Sequence, residues 1–164
     1  MKRNCLSLIA LLVILSSCSI KKPVRQDRAI INGSWILSNI SYENNTGNFK
    51  SVLFNDAQAE CFEGSEWFFR NNNSTGQYTI TSSDSCNGGD RFIRWSVINN
   101  SESYTSQLQF KFIDEKFKDI SGKVGYRLNI ATLLNDKMIL KSNASVDGNL
   151  VTLVYEFTKN NNNE

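Results

Sequence analysis

The sequence predicts an all-β domain, either a barrel or a sandwich. Large apolar side chains alternate with polar ones along most of the chain, and a period of two is typical of half-buried strands. Clusters of asparagine, glycine, aspartate and serine separate the alternating segments at hairpin spacing. No stretch carries the long 3.6-residue apolar period of a substantial helix. Strands are therefore expected to form nearly all of the domain.

The alternation is clearest in the second half of the chain. Leu108, Phe110 and Phe112 share one face of a predicted strand, and the residues between them are polar. A second face near the end consists of Val151, Leu153, Tyr155 and Phe157. The segments predicted as strands are 35–42, 51–54, 66–70, 77–82, 91–98, 104–113, 125–133, 137–142 and 150–157.

Three segments fall outside this strand pattern. Residues 55–61 predict one helical turn with Asn55 as its N-cap. Residues 19–30 are polar, contain the only proline, Pro23, and predict a flexible tether. Residues 160–164 are mostly asparagine, have nothing to bury and predict a disordered tail.

The first eighteen residues predict export and membrane anchoring. Lys2 and Arg3 precede an apolar run of about ten residues, half of the ~20 that a membrane span needs. Two small residues then precede Cys18, an order that resembles the lipobox of bacterial lipoprotein signal peptides. The resemblance implies a signal peptide over residues 1–17, cleavage before Cys18 and a lipidated N-terminus at that cysteine. An ordinary signal peptide with a coincidental cysteine, or an uncleaved anchor, is the alternative.

The lipobox also indicates where the protein resides. We expect a lipid-anchored protein of the bacterial cell envelope. Ser19 stands where enterobacterial lipoproteins retained in the inner membrane carry aspartate, which favours the outer membrane.

Cleavage of the leader changes the charge balance. The chain has 18 Lys and Arg against 16 Asp and Glu, and Lys2 and Arg3 leave with the leader, so 16 of each sign remain. Without an excess of basic side chains, a nucleic-acid partner is not expected. The sequence has no histidine, which excludes Ser-His and Cys-His nucleophiles and His-ligated metals. Neither of the glycine-rich nucleotide motifs occurs, so no metal or cofactor is expected.

Cys61 and Cys86 are the cysteines that remain once Cys5 is removed and Cys18 is acylated. In an oxidising compartment such a pair is expected to form one disulfide, worth roughly 3–4 kcal/mol in the chain-entropy model. Two buried free thiols are the alternative. A thiolate metal site is disfavoured because two ligands fall short of the usual four.

The head of the first predicted strand carries a family motif. Gly33-Ser34-Trp35 is a Gly-x-Trp at the entry to an all-β chain of suitable length, and it resembles the lipocalins. With the lipobox and tether, the chain resembles the lipocalin-like lipoproteins of Bacteroidetes-type bacteria. The resemblance covers residues 31–159 and implies a lipocalin-like, antiparallel up-and-down barrel of about eight strands. It implies that Trp35 closes the barrel base and that Lys159 stacks on it, where lipocalins usually have arginine.

An eight-stranded barrel is near the size at which the interior either is filled by side chains or holds one small ligand. The functional interpretation places Trp67, Phe69, Tyr78 and Trp95 around a lipophilic calyx. The alternative is that these four residues are ordinary packing in a filled barrel.

An envelope module that binds protein or glycan is the alternative function. Phe68 has the opposite parity to its neighbours and is expected to face outward, so a patch near Phe68 or the 83–90 loop would contact the partner. Arg94 alternates with Trp95. An inward Arg94 would pair with an acidic ligand headgroup, whereas an outward Arg94 would be solvated.

Carboxylates offer the only route to an enzyme. Glu60, Glu63 and Glu66 fall at three-residue intervals, a spacing ordinary for an exposed turn, and no nucleophile accompanies them. We therefore expect a monomeric, non-enzymatic lipoprotein that binds or carries a small hydrophobic molecule.

Overall fold

The computed structural model describes residues 22–43, 51–99, 105–146 and 149–161. In chain order the described elements are α1 (Lys22–Ile31), β1 (Gly33–Glu43), β2 (Val52–Leu53), β3 (Ala57–Gln58), α2 (Ala59–Phe62), β4 (Glu66–Arg70), β5 (Thr75–Ile80), β6 (Gly89–Asn99), β7 (Ser106–Ile113), β8 (Tyr126–Leu133), β9 (Lys137–Val146) and β10 (Asn149–Lys159). Strands β1 and β4 to β10 close into one antiparallel eight-stranded barrel. This confirms the predicted barrel and excludes the sandwich.

Strand β1 closes the barrel. From β4 to β10, each strand pairs with the next strand in the chain, and β1 pairs with β10 on one side and β4 on the other. In this register Trp35 lies opposite Lys159 of β10 and opposite Trp67 of β4. The first strand thereby joins the two ends of the meander, which leaves the barrel without an open edge.

The barrel interior follows the predicted alternation. Val151, Leu153, Tyr155 and Phe157 of β10 are all buried, and the same holds for Leu108 and Phe110 of β7. The largest fully buried side chains include Trp35, Trp67, Trp95, Tyr78, Phe62, Phe69 and Phe157. Each large apolar side chain contributes about 1.5–3 kcal/mol on burial, so aromatic packing is a principal source of the barrel's stability.

Helix α1 replaces most of the predicted tether. Pro23 lies in its first turn, where the missing N–H leaves no helical hydrogen bond unmade. Val24, Arg28 and Ile31 recur at helical spacing, and Val24 and Ile31 are buried. The expectation of a tether over residues 22–30 was wrong because three separated side chains supply a docking face that average polarity conceals.

The segment after β1 also differs from expectation. Residues 51–54 and 55–61 predicted a strand and a helical turn capped by Asn55. Instead, β2 and β3 form a small hairpin outside the barrel sheet, and the one-turn helix α2 begins at Ala59. We call residues 51–58 the mouth loop, because they cover the barrel end opposite α1. Asn55 has a φ of 52° and lies in the hairpin turn, so it is not the N-cap.

Cys61 and Cys86 form a disulfide with a Cα–Cα distance of 5.5 Å, which confirms the predicted pairing. It ties α2 to the loop before β6, beside the mouth loop. Cys18, the leader and residues 162–164 lie outside the described residues, as does Tyr104, the first residue of the predicted strand 104–113. At the C-terminal end, Asn160 N–H donates to Ser34 O at 2.9 Å, so strand pairing continues into the predicted tail. Within the described part of the chain, no helix has the length and apolarity to cross a membrane.

Candidate functional site

One end of the barrel, which we call the base, is organised around Trp35. Its ring is fully buried, and its indole N–H donates to Ile31 O at 2.8 Å, at the end of α1. Lys159 Nζ lies 4.5 Å from the Trp35 ring centroid and donates to the carbonyls of Ile30 and Asn32. The residues of the Gly-x-Trp motif and Lys159 therefore meet in one cluster.

Gly33 is required in this cluster by its backbone. It has a φ of 107°, a conformation that L side chains rarely adopt. A Cβ at this position would also lie 3.1 Å from Lys159 Nζ. The motif glycine thus permits both the turn from α1 into β1 and the approach of the ammonium group.

A second cation at the base was not predicted from the sequence. Arg28 Cζ of α1 lies 4.7 Å from the Trp95 ring centroid. Its guanidinium donates to Asn71 Oδ1 at 3.0 Å and to Asn71 O and Ser74 Oγ at 2.9 Å each. Helix α1 is therefore fixed across the base by a cation–π contact and hydrogen bonds to the β4–β5 turn.

The four predicted lining residues lie inside the barrel in one aromatic cluster. Trp67 and Tyr78 stack at 4.3 Å between ring centroids, Trp67 and Phe69 at 6.0 Å, and Phe69 meets Trp95 edge-on at 5.4 Å. Phe69 and Trp95 lie toward the base. Trp67 and Tyr78 lie nearer the opposite end, which we call the mouth. In this conformation all four contact other side chains, as in the packing alternative.

At the mouth, one side chain from the mouth loop occupies the space enclosed by several aromatic side chains. Phe54 is 8% exposed and points inward. Its ring centroid lies 5.0 to 6.3 Å from the centroids of Phe110, Tyr126, Phe62, Tyr155 and Trp67. An inserted loop residue, and not a strand residue, therefore fills this part of the interior.

Polar groups at the mouth hold the mouth loop in place. Tyr126 O–H donates to Phe54 O at 2.6 Å, and Tyr78 O–H donates to Asp56 Oδ2 at 2.6 Å. Arg91 Nε lies 3.0 Å from the same carboxylate oxygen. The Arg91 guanidinium and the Tyr78 phenol thus bind the loop carboxylate, and a second phenol binds a loop carbonyl.

Burial determines the protonation state of these phenols. It raises the pKa of Tyr78 well above the usual value, and the hydrogen bond and charge of Asp56 raise it further. Burial also raises the pKa of Tyr126, against a smaller opposite effect of a hydrogen bond to Asn55. Both phenols are therefore neutral donors at physiological pH.

The mouth loop adopts an unfavourable backbone to deliver Phe54. Asp56 N–H donates to Leu53 O at 2.9 Å, and the two central residues of this turn, Phe54 and Asn55, have φ of 54° and 52°. Such turns favour asparagine and glycine, and left-handed backbone costs a non-glycine residue about 1–2 kcal/mol. Burial of the Phe54 ring is the contact that offsets this cost.

Two grooves lie on the outer surface of the barrel. One of about 630 Å³ is lined by Arg94, Lys111, Arg127 and neighbouring residues of β6 to β8. Arg94 donates to Phe117 O at 3.3 Å, so it follows the outward alternative. A second groove, of about 360 Å³, contains Phe68 and Phe92. Phe68 is 36% exposed, as its parity predicts.

The three carboxylates considered for catalysis are exposed and separate from the barrel interior. Glu63 Oε1 accepts the N–H of Ile40 at 3.0 Å, which is a structural contact, and Glu60 and Glu66 are exposed. Among residues 22–43, 51–99, 105–146 and 149–161, no group of three or more Cys, Asp or Glu side chains could hold a metal ion.

Phe54, Asp56, Arg91 and Arg28 were not identified from the sequence as site residues. Phe54 was assigned to a short strand, and Asp56 to a helical turn. The roles of Phe54 and Asp56 depend on contacts with residues of β5, β6 and β8 that are 22 to 72 residues away along the chain. A phenylalanine followed directly by asparagine, at the junction of the predicted strand 51–54 and the predicted helical turn 55–61, was the one local signal.

The barrel, its base cluster and its aromatic interior define a lipocalin-like protein. The family profile described as a lipocalin-like domain matches residues 31–140. This is more than half of the chain, and the chain belongs to this family. No curated protein gives a significant match.

Solved structures with similarity to this chain include bovine odorant-binding proteins. The bovine odorant-binding protein in complex with a selenium-containing odorant is 12% identical, with a TM-score of 0.42 and coverage of 87% of this chain and 78% of the other. The odorant-binding protein from bovine nasal mucosa is 12% identical, with a TM-score of 0.42 and coverage of 91% and 80%. A deswapped triple mutant of the bovine protein is 13% identical, with a TM-score of 0.41 and coverage of 82% and 77%.

Proposed function

We propose that this protein is a membrane-anchored envelope lipoprotein whose barrel binds or carries a small hydrophobic ligand. The observation that carries the proposal is the Phe54 site. Aromatic side chains from three barrel strands surround the Phe54 side chain, which comes from a loop and not from the barrel wall. Withdrawal of that side chain would leave an aromatic cavity at the mouth while every barrel strand stays paired.

The space under Phe54 suits a small molecule. Removing one phenylalanine ring would free a volume on the order of 100–150 Å³, and an apolar cavity of about 150 Å³ is large enough to bind benzene. Larger ligands fit if the mouth loop moves as a whole. The membership of the lipocalin-like family supports the same class of function, because an eight-stranded barrel is wide enough to hold one small ligand.

The anchoring part of the proposal rests on the sequence of the leader. Cleavage after residue 17 and lipidation of Cys18 would leave four chain steps between the lipid and Lys22, the start of α1. Four extended residues span at most about 14 Å. Because α1 lies across the base, the base would face the membrane and the mouth would face away. Such a protein would deliver a ligand locally, and we place it at the outer membrane.

A second candidate function is an envelope module that contacts protein or glycan. The filled barrel interior and the outer groove at Phe68 and Phe92 favour it. In that case the mouth loop would be a permanent part of the core, and binding would depend on the outer groove.

Native mass spectrometry of the protein purified from its own host tests the ligand-binding proposal. We expect a retained small molecule that is released on unfolding. The control is Phe68→Ala, which changes the outer groove and leaves the mouth intact. Retention of the molecule by wild type and its loss from Phe68→Ala would contradict binding inside the barrel and favour the second candidate.

A further inference from the structure

The mouth loop presents to the barrel the groups of a small amphipathic molecule. An aromatic ring, that of Phe54, enters the cavity, and a carboxylate, that of Asp56, stays at the rim. The Phe54 ring is enclosed by strands β4, β7, β8 and β10 together with α2. The Asp56 carboxylate is enclosed by β5 and β6.

The barrel groups that hold Asp56 would remain in position without it. Arg91 uses Nη1 and Nη2 to donate to Gly89 O at 2.7 Å and Asn87 O at 2.8 Å. These two bonds orient the guanidinium independently of the loop and leave Nε for the carboxylate. Tyr78 is supported by its stacking on Trp67. A guanidinium N–H and a phenol O–H therefore converge on the place of one carboxylate.

The site of the Asp56 carboxylate selects for a negative charge. The side chains of Arg91 and Asp56 are only 16% and 18% exposed, so solvent would poorly replace a lost partner. A neutral occupant would leave a part-buried cation unpaired, whereas a carboxylate would restore charge-assisted hydrogen bonds to both groups. The site therefore favours an anion over a neutral group of the same shape.

The mouth loop is attached so that it can leave. Its two-residue strands β2 and β3 pair with each other and not with the barrel. Its turn holds two adjacent non-glycine residues at positive φ. Displacement of the loop would let both residues return to a more favourable backbone conformation. Displacement breaks the hydrogen bonds of Ser51, Phe54 and Asp56 and leaves the barrel ladders intact. It also exposes the buried side chains of Leu53 and Phe54.

We propose that the mouth loop is a built-in substitute for the ligand, and that the ligand is a small carboxylate with an aromatic or apolar body. The body takes the place of the Phe54 ring, and the carboxylate takes the place of Asp56 on Arg91 and Tyr78. The inference rests on the proposed ligand-binding function and adds the ligand's chemical class and its competition with the loop. Because the loop must leave first, the apparent affinity is lowered by the fraction of molecules with an open mouth.

Binding of three probes tests the inference on the mature chain carrying Cys18→Ser, which permits purification without detergent. The neutral reporter N-phenyl-1-naphthylamine is followed by its fluorescence, and 2-naphthoic acid and its methyl ester compete with it. We expect the acid to bind at least tenfold more tightly than the ester. Arg91→Met is expected to reduce this ratio to about one.

Two loop variants test the competition. Asp56→Asn is expected to raise the affinity for 2-naphthoic acid at least fivefold, because the loop loses its own carboxylate. Phe54→Ala is expected to raise the affinity for the neutral reporter at least tenfold. Their matched controls are Asp119→Asn, which removes an outer pair with Lys111, and Phe117→Ala, which removes an exposed phenylalanine that also has positive φ. Neither control is expected to change binding.

The outcomes separate the inference from the function on which it rests. Failure of the reporter to bind wild type and Phe54→Ala would overturn the ligand-binding proposal. Reporter binding with equal affinities for the acid and its ester would overturn the carboxylate inference alone. If Arg91→Met does not fold, an unchanged acid affinity in Asp56→Asn would still contradict the competition.

Discussion

At the scale of single residues, Lys159 shows how one ammonium group organises the barrel base. It combines a cation–π contact with Trp35 and hydrogen bonds to the carbonyls of Ile30 and Asn32. These carbonyls belong to the end of α1 and the residue before β1. The last strand thereby holds the first helix and the first strand together.

Lys159→Met is expected to lower the free energy of unfolding by about 2 kcal/mol, because a partly desolvated cation–π contact and hydrogen bonds are lost. Urea unfolding followed by tryptophan fluorescence measures this change. Lys137→Met is the matched control, since Lys137 pairs with Glu156 at 3.2 Å and is 49% exposed. Its loss is expected to cost less than about 1 kcal/mol. Equal losses at both positions would contradict the role of the base cluster.

Tyr155 makes the stability of the barrel depend on alkaline pH. Burial raises its pKa to about 12, against a smaller lowering by the hydrogen bond with Ser142. Between pH 10 and pH 12, the phenol is therefore ionised in the unfolded chain but protonated in the folded one. The unfolded state then binds fewer protons, so stability falls as the pH rises through this window.

The stability difference between wild type and Tyr155→Phe reports this effect. We expect a constant difference below about pH 9 and a decrease of about 1.4 kcal/mol per pH unit from pH 10 to pH 12. Urea unfolding at a series of pH values measures it. A difference that stays constant up to pH 12 would show that Tyr155 ionises equally in both states.

At the scale of elements, α1 acts as a cover for the barrel base. Arg28 makes hydrogen bonds from the helix to the β4–β5 turn, and the neighbouring side chains of Val24 and Ile31 are buried. Arg25, one turn earlier, is exposed. The helix therefore offers two arginines in the same element with different surroundings.

Arg28→Ala is expected to destabilise the protein by about 2–3 kcal/mol, because hydrogen bonds from a charged donor to Asn71 and Ser74 are lost with the contact to Trp95. Arg25→Ala is expected to change stability by less than about 0.5 kcal/mol. Thermal and urea unfolding of both variants measure the effects. Comparable losses in the two variants would contradict the docking role of Arg28, since alanine has the higher helix propensity at both positions.

The Cys61–Cys86 disulfide joins α2 to the loop before β6 across 25 residues of sequence. Its reduction is expected to lower stability by roughly 3–4 kcal/mol in the chain-entropy model. Urea unfolding with and without reductant measures the loss. The double variant Cys61→Ser with Cys86→Ser provides the control, since reductant should not affect it. Alkylation of both thiols in the unreduced, unfolded protein would contradict the pairing.

At the scale of the whole molecule, the two barrel ends are closed in different ways. The base is closed by α1 and two cation–π contacts, whereas the mouth is covered by a hairpin outside the barrel sheet. The proposed lipid attachment at Cys18 precedes α1. Anchoring and ligand entry would therefore occur at opposite ends.

Cys18→Ser is expected to abolish labelling by radioactive palmitate and to release the protein from membranes. Cys5→Ser is the matched control, because Cys5 belongs to the leader that is removed. It should leave both labelling and membrane association unchanged. Membrane fractionation and labelling of both variants measure this, and retained label in Cys18→Ser would contradict the lipobox.

The strands were largely predictable because alternation is a local property. Strands β4, β6 and β9 begin within two residues of the predicted segments. Helix α1 was missed because its docking face consists of only three separated residues. The mouth loop was missed because Phe54 and Asp56 acquire their contacts from distant strands.

The sequence by itself determined the all-β class and the approximate positions of the barrel strands, and it favoured the pairing of Cys61 with Cys86 and the residues of the base motif. These follow from side-chain period, from a cysteine count and from a short motif, all of which are readable along the chain. Only the tertiary structure decided that a loop residue fills the mouth and that Arg91 and Tyr78 share one carboxylate. Such contacts arise when barrel closure brings residues from separate strands together, and no local pattern encodes that proximity.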